Sequence, residues 1–169
     1  GLIIKRNHDK FKKLAVAGSL KARKWWFDLA EFEPVFIHTF KEIQGIEYNI
    51  EKAHTYSDAF IFANKLEKEN FLTEGLDMES NLAYAYTVFH MVDTAAYRYN
   101  WDGTTYPAVS EYGGEIGKWA SNARNEKYTI THKLHLNYVI NNNHSINLNS
   151  LFSFASGHPK DDLKNKVVG

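Results

Sequence analysis

The sequence predicts an all-β protein of about six antiparallel up-and-down strands, part of a transmembrane β-barrel. Three observations lead there. Apolar residues recur at every second position over stretches longer than the ordinary strand of ~5–6 residues. Aromatics make up 15% of the 169-residue chain while proline occurs only 3 times, a composition suited to long pleated ladders. Short and long connections alternate along the chain, as tight turns and large loops do on the two rims of a membrane barrel.

The clearest strand is 128–140. Its even positions, Tyr128, Ile130, His132, Leu134, Leu136, Tyr138 and Ile140, are largely apolar, whereas Thr129, Thr131, Lys133, His135 and Asn137 are polar. Asn141-Asn142-Asn143 follows, and Asn tolerates the positive φ of a tight hairpin. The partner, 145–156, sets Ile146, Leu148, Phe152 and Phe154 against Ser145, Asn147, Asn149 and Ser153. Segments 76–92, 55–66 and 30–40 repeat the design, the last with Pro34 as a blemish, and 11–20 repeats it weakly. Helix formers are frequent in 12–30 and 53–69, but their apolar residues step by two and not by three and four, which favours strand.

The connections are short at 21–25, longer at 41–54, short at 68–75, very long at 93–127 and short at 141–144. The whole of 1–169 reads as one partial barrel segment, with 93–127 as its long external loop. Tyr128, Tyr138, Tyr84 and Tyr86 are expected at the membrane interfaces, where aromatic girdles lie.

Composition narrows the function classes. Lys+Arg and Asp+Glu are 20 each, so no basic excess points to a nucleic-acid partner. The absence of Cys excludes disulfides, thiolate chemistry and Cys-based zinc sites. No run of ~20 apolar residues can form a membrane helix. A mean hydropathy of −0.45 has no bearing on a barrel, because inward polar residues cancel outward apolar ones. The opening Gly1-Leu2-Ile3-Ile4-Lys5-Arg6 lacks a signal-peptide layout, so either the chain is cytoplasmic or its beginning lies elsewhere.

Several phrases resemble TonB-dependent outer-membrane receptors of Bacteroidetes-type bacteria. They are Asp93-Thr94-Ala95-Ala96-Tyr97-Arg98-Tyr99-Asn100-Trp101-Asp102-Gly103-Thr104, Leu136-Asn137-Tyr138-Val139-Ile140-Asn141 with Asn143-His144-Ser145-Ile146-Asn147-Leu148-Asn149, and Phe71-Leu72-Thr73-Glu74-Gly75-Leu76. The resemblance spans roughly 43–163. It implies a ~22-strand barrel with an N-terminal plug, placed in the cell outer membrane. The implied activity is uptake of a scarce nutrient (siderophore, cobalamin, glycan or peptide) driven through the TonB complex. Neither a plug nor enough strands to close such a barrel is present here, so the chain is expected to be a fragment contacting TonB only through a plug it lacks. The implied partners are outer-membrane lipid and an extracellular nutrient ligand.

Candidate ligand-binding residues are the loop aromatics Tyr97, Tyr99, Trp101, Tyr106, Tyr112 and Trp119, interspersed with Arg98, Asp102, Glu111 and Glu115. Aromatic faces beside polar groups suit sugar rings, flat cofactor-like planes or a protein surface; self-packing of the loop is the plainer alternative. Asn100-Trp101-Asp102-Gly103 reads as a turn with a satisfied Asx side chain. His132 and His135 have opposite parity, so no metal site is expected from them; His38, His90 and His132 are placed on the lipid-facing side near a rim. No catalytic motif is present, so no catalytic residues, no enzyme activity and no cofactor are expected. A second reading is a soluble antiparallel β module that binds carbohydrate or protein through the aromatic loop. In it the even faces meet one another in a core; in the receptor they meet lipid.

Overall fold

The computed structural model describes residues 8–45, 48–108, 113–116 and 121–163. Among them the protein is all-β, with nine strands and no helix. The strands are β1 (Phe11–Ala17), β2 (Leu20–Arg23), β3 (Leu29–Glu42), β4 (His54–Lys68), β5 (Leu76–Asp93), β6 (Tyr97–Tyr99), β7 (Thr105–Pro107), β8 (Ser121–Asn141) and β9 (His144–Asp161). Seven of them form one antiparallel up-and-down sheet in the order β1-β3-β4-β5-β8-β9, with β2 also on β3. The other two, β6 and β7, pair as a separate hairpin. The sheet does not close: β1–β2 and β9 are its two edges.

The structure corrects several expected boundaries. The strand expected at 11–20 is two, because Gly18 lies against Pro34. The Gly18 N–H donates to the Pro34 carbonyl at 3.0 Å, but proline has no N–H to return the bond, and the ladder lapses there. The first turn falls at 24–28 instead of 21–25. The strand expected at 128–140 begins at Ser121, so the loop expected over 93–127 is shorter and itself contains β6 and β7. Residues 121–127 are polar, and the periodicity of burial does not reach them; their pairing with β5, from Asp93↔Ser121 to Thr87↔Lys127, makes them strand. At the β8–β9 hairpin the Asn141 side chain accepts the Asn143 N–H at 2.9 Å.

Register gives the sheet two chemically distinct faces. Even-numbered residues sit opposite even-numbered residues across the sheet, as in the row Pro34↔Phe62↔Tyr84↔Ile130↔Phe154, up to the register shift at the β8–β9 hairpin, where Asn141 opposes His144. Directly opposed residues point to one side. The even face therefore gathers Leu14, Val16, Phe36, Phe60, Leu82, Leu134, Leu136, Leu148 and Phe152. The odd face is charged toward the short turns, as in Lys21↔Glu31↔Lys65↔Asn81↔Lys133. Mid-strand it turns small and apolar, as in Val35↔Ile61↔Ala85↔Thr129↔Ala155.

No second layer packs on the even face among the described residues. The buried apolar set is Leu29, Ala30, Ile50, Ala53, Val88 and Ala95; it comprises a β3 start, a β5 position near the long loops and the loops themselves. The accessible surface is 11915 Å² for 19.5 kDa, against about 8,500 Å² for a compact monomer of that mass. The excess is what a single uncovered layer gives. A sandwich core would require a second sheet about 10 Å away.

Candidate functional site

The long connections, 43–53 and 94–120, leave the same end of the sheet, between β3 and β4 and between β5 and β8. They are held there by two buried carboxylates. Asp93, the last residue of β5, is 1% exposed and accepts the N–H groups of Glu115 at 2.6 Å and Ile116 at 2.9 Å. Glu115, 2% exposed, reaches into the other loop and accepts the N–H groups of Glu51 (2.7 Å), Lys52 (2.7 Å) and Ala53 (2.9 Å). Backbone donors otherwise orphaned at the loop are satisfied by charge-assisted bonds, and the carboxylates gain the partners that burial demands.

Glycine makes the approach possible. Gly113 has φ +97°, and a Cβ there would lie 2.5 Å from the Ala95 carbonyl oxygen. Gly45 is opposed by the Tyr48 carbonyl oxygen at 1.7 Å from where a Cβ would stand. Any other residue at either place forces the loop open.

The β6–β7 hairpin joins the same cluster. The Asn49 N–H donates to the Tyr99 carbonyl at 3.0 Å, and the Tyr48 and Tyr106 rings meet edge-on at 6.5 Å. The hairpin tip is the Asx turn its sequence suggests: Asp102 accepts the Thr104 hydroxyl at 2.6 Å and its N–H at 2.9 Å. Those bonds, the hydroxyl first, hold the Asp102 carboxyl below the ordinary carboxylate range.

The expected ligand residues are only partly brought together. Tyr97 and Tyr99 share one face of the hairpin, and Tyr106 lies on the other, opposite Arg98. Trp101 sits in the turn, half-buried. Tyr97, half exposed, is the most open of these. No two of Tyr97, Tyr99, Trp101 and Tyr106 stack among the described residues; Tyr106 takes Tyr48 instead. Tyr112, Trp119 and Glu111 lie outside the described residues. Of the residues that organise this end, the sequence names Glu115 only as a charge among the loop aromatics and Asp93 only within a resembling phrase, and it does not single out Tyr48.

Grooves open on the odd face. A groove of about 760 Å³ is lined by Glu31, Glu33, Lys65, Glu79, Asn81 and Lys133 among others. Its charges answer one another: Lys21–Glu31 at 3.0 Å, Lys65–Glu67 at 2.7 Å and Lys65–Glu79 at 3.9 Å. Such a surface is stable in water and offers polar solutes many weak partners. His135, on this face as its parity requires, bonds Asn149 at 2.6 Å.

His38, His90 and His132 lie on the even face. His38 bonds Asp58 at 2.7 Å; His90 bonds the Tyr56 hydroxyl and, at 2.6 Å, Asn122. These are at the long-loop end. His132 is not: it lies mid-strand, opposite Leu82 and Phe152, where Ser80 satisfies it at 2.9 Å. That corrects the rim position expected for it. No group of three or more His, Asp or Glu is placed to hold a metal among the described residues. No family model, curated protein or solved structure matches the chain.

Proposed function

We propose that this sheet is a stretch of the wall of an outer-membrane β-barrel receptor of the TonB-dependent kind. In that reading the even face meets lipid, the odd face meets the lumen, and the clasped loops stand outside. The observation that carries it is the shared parity of all six sheet positions, which collects most of the large apolar side chains, Phe11, Phe89 and Leu151 excepted, on one uncovered face. Water makes that arrangement costly, whereas hydrocarbon makes it the stable one.

Two further features support it. At 21 and 18 residues, β8 and β9 exceed the ~9–11 residues that a tilted strand needs to cross a bilayer. The apolar band also runs diagonally. In the row Lys12↔Phe40↔Tyr56↔His90↔Arg124↔Lys160 the aromatics are on β3 and β4 and the cations on β8 and β9 and on the edge strand β1. In the row Lys68↔Met78↔Leu136↔Leu148 the cation is on β4 and the apolar residues follow on β5, β8 and β9. Strands tilted by ~35–45° and spaced ~4.8 Å shift a level band by roughly one residue per strand, which produces such a diagonal. The pair Glu126↔His158 then marks the outer margin of the hydrocarbon on β8 and β9, while on β3 and β4 the hydrogen-bonded His38–Asp58 pair lies inside the Phe40↔Tyr56 row.

Active uptake of a scarce nutrient, a siderophore, cobalamin, glycan or peptide, rests on the resemblance of the loop and hairpin phrases. Tyr97, Tyr99, Trp101 and Tyr106 are the ligand-facing candidates on the external rim. Fractionation of the producing cell tests the placement. The protein is expected in the outer-membrane pellet, released only by detergent, with heat-dependent electrophoretic mobility. Release by carbonate or salt without detergent contradicts it.

A further inference from the structure

In the apolar alternation of β8, His132 stands between Ile130 and Leu134 on the even face, with Leu82 and Phe152 opposite. Its Nε2 pairs with the Ser80 hydroxyl at 2.9 Å. The other ring nitrogen, Nδ1, has no partner among the described residues, and the ring is half-buried. Ser150 is close by on β9, opposite Leu134 and exposed, and its hydroxyl also has no partner among the described residues. The row Leu66↔Ser80↔Leu134↔Ser150 thus sets a small polar residue on either side of Leu134. Together these residues make a polar notch in an otherwise apolar band.

In the barrel-wall reading the notch lies well inside the hydrocarbon, where an unsatisfied polar group is costly. Acyl chains carry no donor or acceptor at that depth, so lipid cannot complete it. Another membrane-spanning protein can. We propose that the notch is a contact between two copies of this chain. A two-fold axis along the membrane normal brings the Ser150 hydroxyl of one copy to the His132 Nδ1 of the other, and the reciprocal bond closes the pair. This rests on the barrel-wall reading above.

Three observations favour a second copy. The first is depth. With a level band shifting roughly one residue per strand, His132 and Ser150 lie within about one residue of the same height, so copies inserted the same way align them. The second is complementarity. One nitrogen of a neutral imidazole donates and the other accepts, and a hydroxyl does either, so the two bonds close for both tautomers with no group left over. The third is the surrounding surface. Leu148 (56%), Phe152 (55%) and Phe154 (51%) are exposed around the notch. The small serines allow close approach, and the even positions of 78–86, 128–138 and 146–156 hold no Asp, Glu, Lys or Arg to repel a like surface. A curved wall meets its copy over only a few residues and leaves the rest of the even face to lipid.

The chain has no cysteine, so introduced thiols report alone. The test uses the full protein in native outer membranes, produced as two differently tagged forms, one His132→Cys and the other Ser150→Cys. Mild oxidation is expected to join the two tags in a product of twice the protein's mass. The same pairing with Val16→Cys, on the even face of β1, should not. In detergent, His132→Leu should keep the heat-modifiable barrel and weaken self-association roughly ten-fold, read by sedimentation. An inserted barrel that sediments as a monomer and forms no joined product overturns the contact and leaves the barrel wall intact. A cross-link to a protein of different mass assigns the notch to another partner and also overturns it. Self-association unchanged by His132→Leu removes the notch as its cause. Failure to insert removes the barrel reading, and this contact with it.

Discussion

The two faces of the main sheet share every strand and differ only in parity, yet they solve opposite problems. On β8, Lys133 and His135 alternate with Leu134 and Leu136. Around Lys133 and His135 the odd face supplies Asn81, Glu79 and Asn149, polar groups that meet one another and water. Around Leu134 and Leu136 the even face supplies Met78, Leu148 and Phe152, with Ser80 and Ser150 opposite Leu134, and nothing laid over them among the described residues. A soluble sheet hides its apolar face in a core. Here the face is complete and the cover is missing, which locates its partner outside the described residues.

The largest expected effect separates the faces directly. Leu136→Arg should impair assembly in the membrane by ~2–4 kcal/mol if it lies near mid-bilayer, whereas Asn137→Arg, one residue on, should be tolerated. Folded yield in bilayers as a function of urea measures both, and equal costs would abolish the distinction between the faces.

Next is the rim, where stability is polar and local. Glu115→Ala leaves three N–H groups, that of Ala53 buried, without their acceptor, a local cost of about 2 kcal/mol. The loops should become protease-sensitive while the sheet keeps its resistance. Loss of the whole sheet would show that the clasp and the wall are not separate units.

A gain is expected at the interrupted ladder. Pro34→Val restores an N–H opposite Gly18 and should stabilise the edge by ~1 kcal/mol, read as slower amide exchange around residues 17–20. Unchanged exchange would place the cause of the break elsewhere.

The smallest effect concerns pH. Hydrogen bonding from Glu69 and, secondarily, the Lys68 ammonium hold the Asp28 carboxyl below its ordinary 3.8. A depressed carboxyl contributes stability above its unfolded pKa and loses it as pH falls through the folded value. The turn clamp should therefore be constant through neutrality and weaken only in acid below 3.8. Exchange of the Glu69 amide follows it, and Asp28→Asn should remove the acid dependence. Weakening near neutral pH would contradict the assignment.

Strand periodicity in the sequence made most of the sheet legible, because a two-residue repeat states which side chains share a face. Features created by pairing were not. Pro34 is a visible flaw in β3, but its consequence falls on the neighbouring strand, at Gly18. Ser121 to Lys127 carries no apolar alternation, and only its register with β5 makes it strand. At the rim the aromatics attract attention, while Asp93 and Glu115, two of 20 acids, acquire meaning only when the fold brings Glu115 to residues 51–53, more than 60 positions away.

The central claim is that the even face meets lipid. Single cysteines at positions 130 to 137 of β8, in the full protein in its membrane, can be probed with a lipid-soluble and a water-soluble spin relaxant in turn. Strict alternation is predicted: oxygen dominates at Ile130, His132, Leu134 and Leu136, and the aqueous nickel chelate at Thr131, Lys133, His135 and Asn137. A water-accessible even face, or accessibility without alternation, would contradict it.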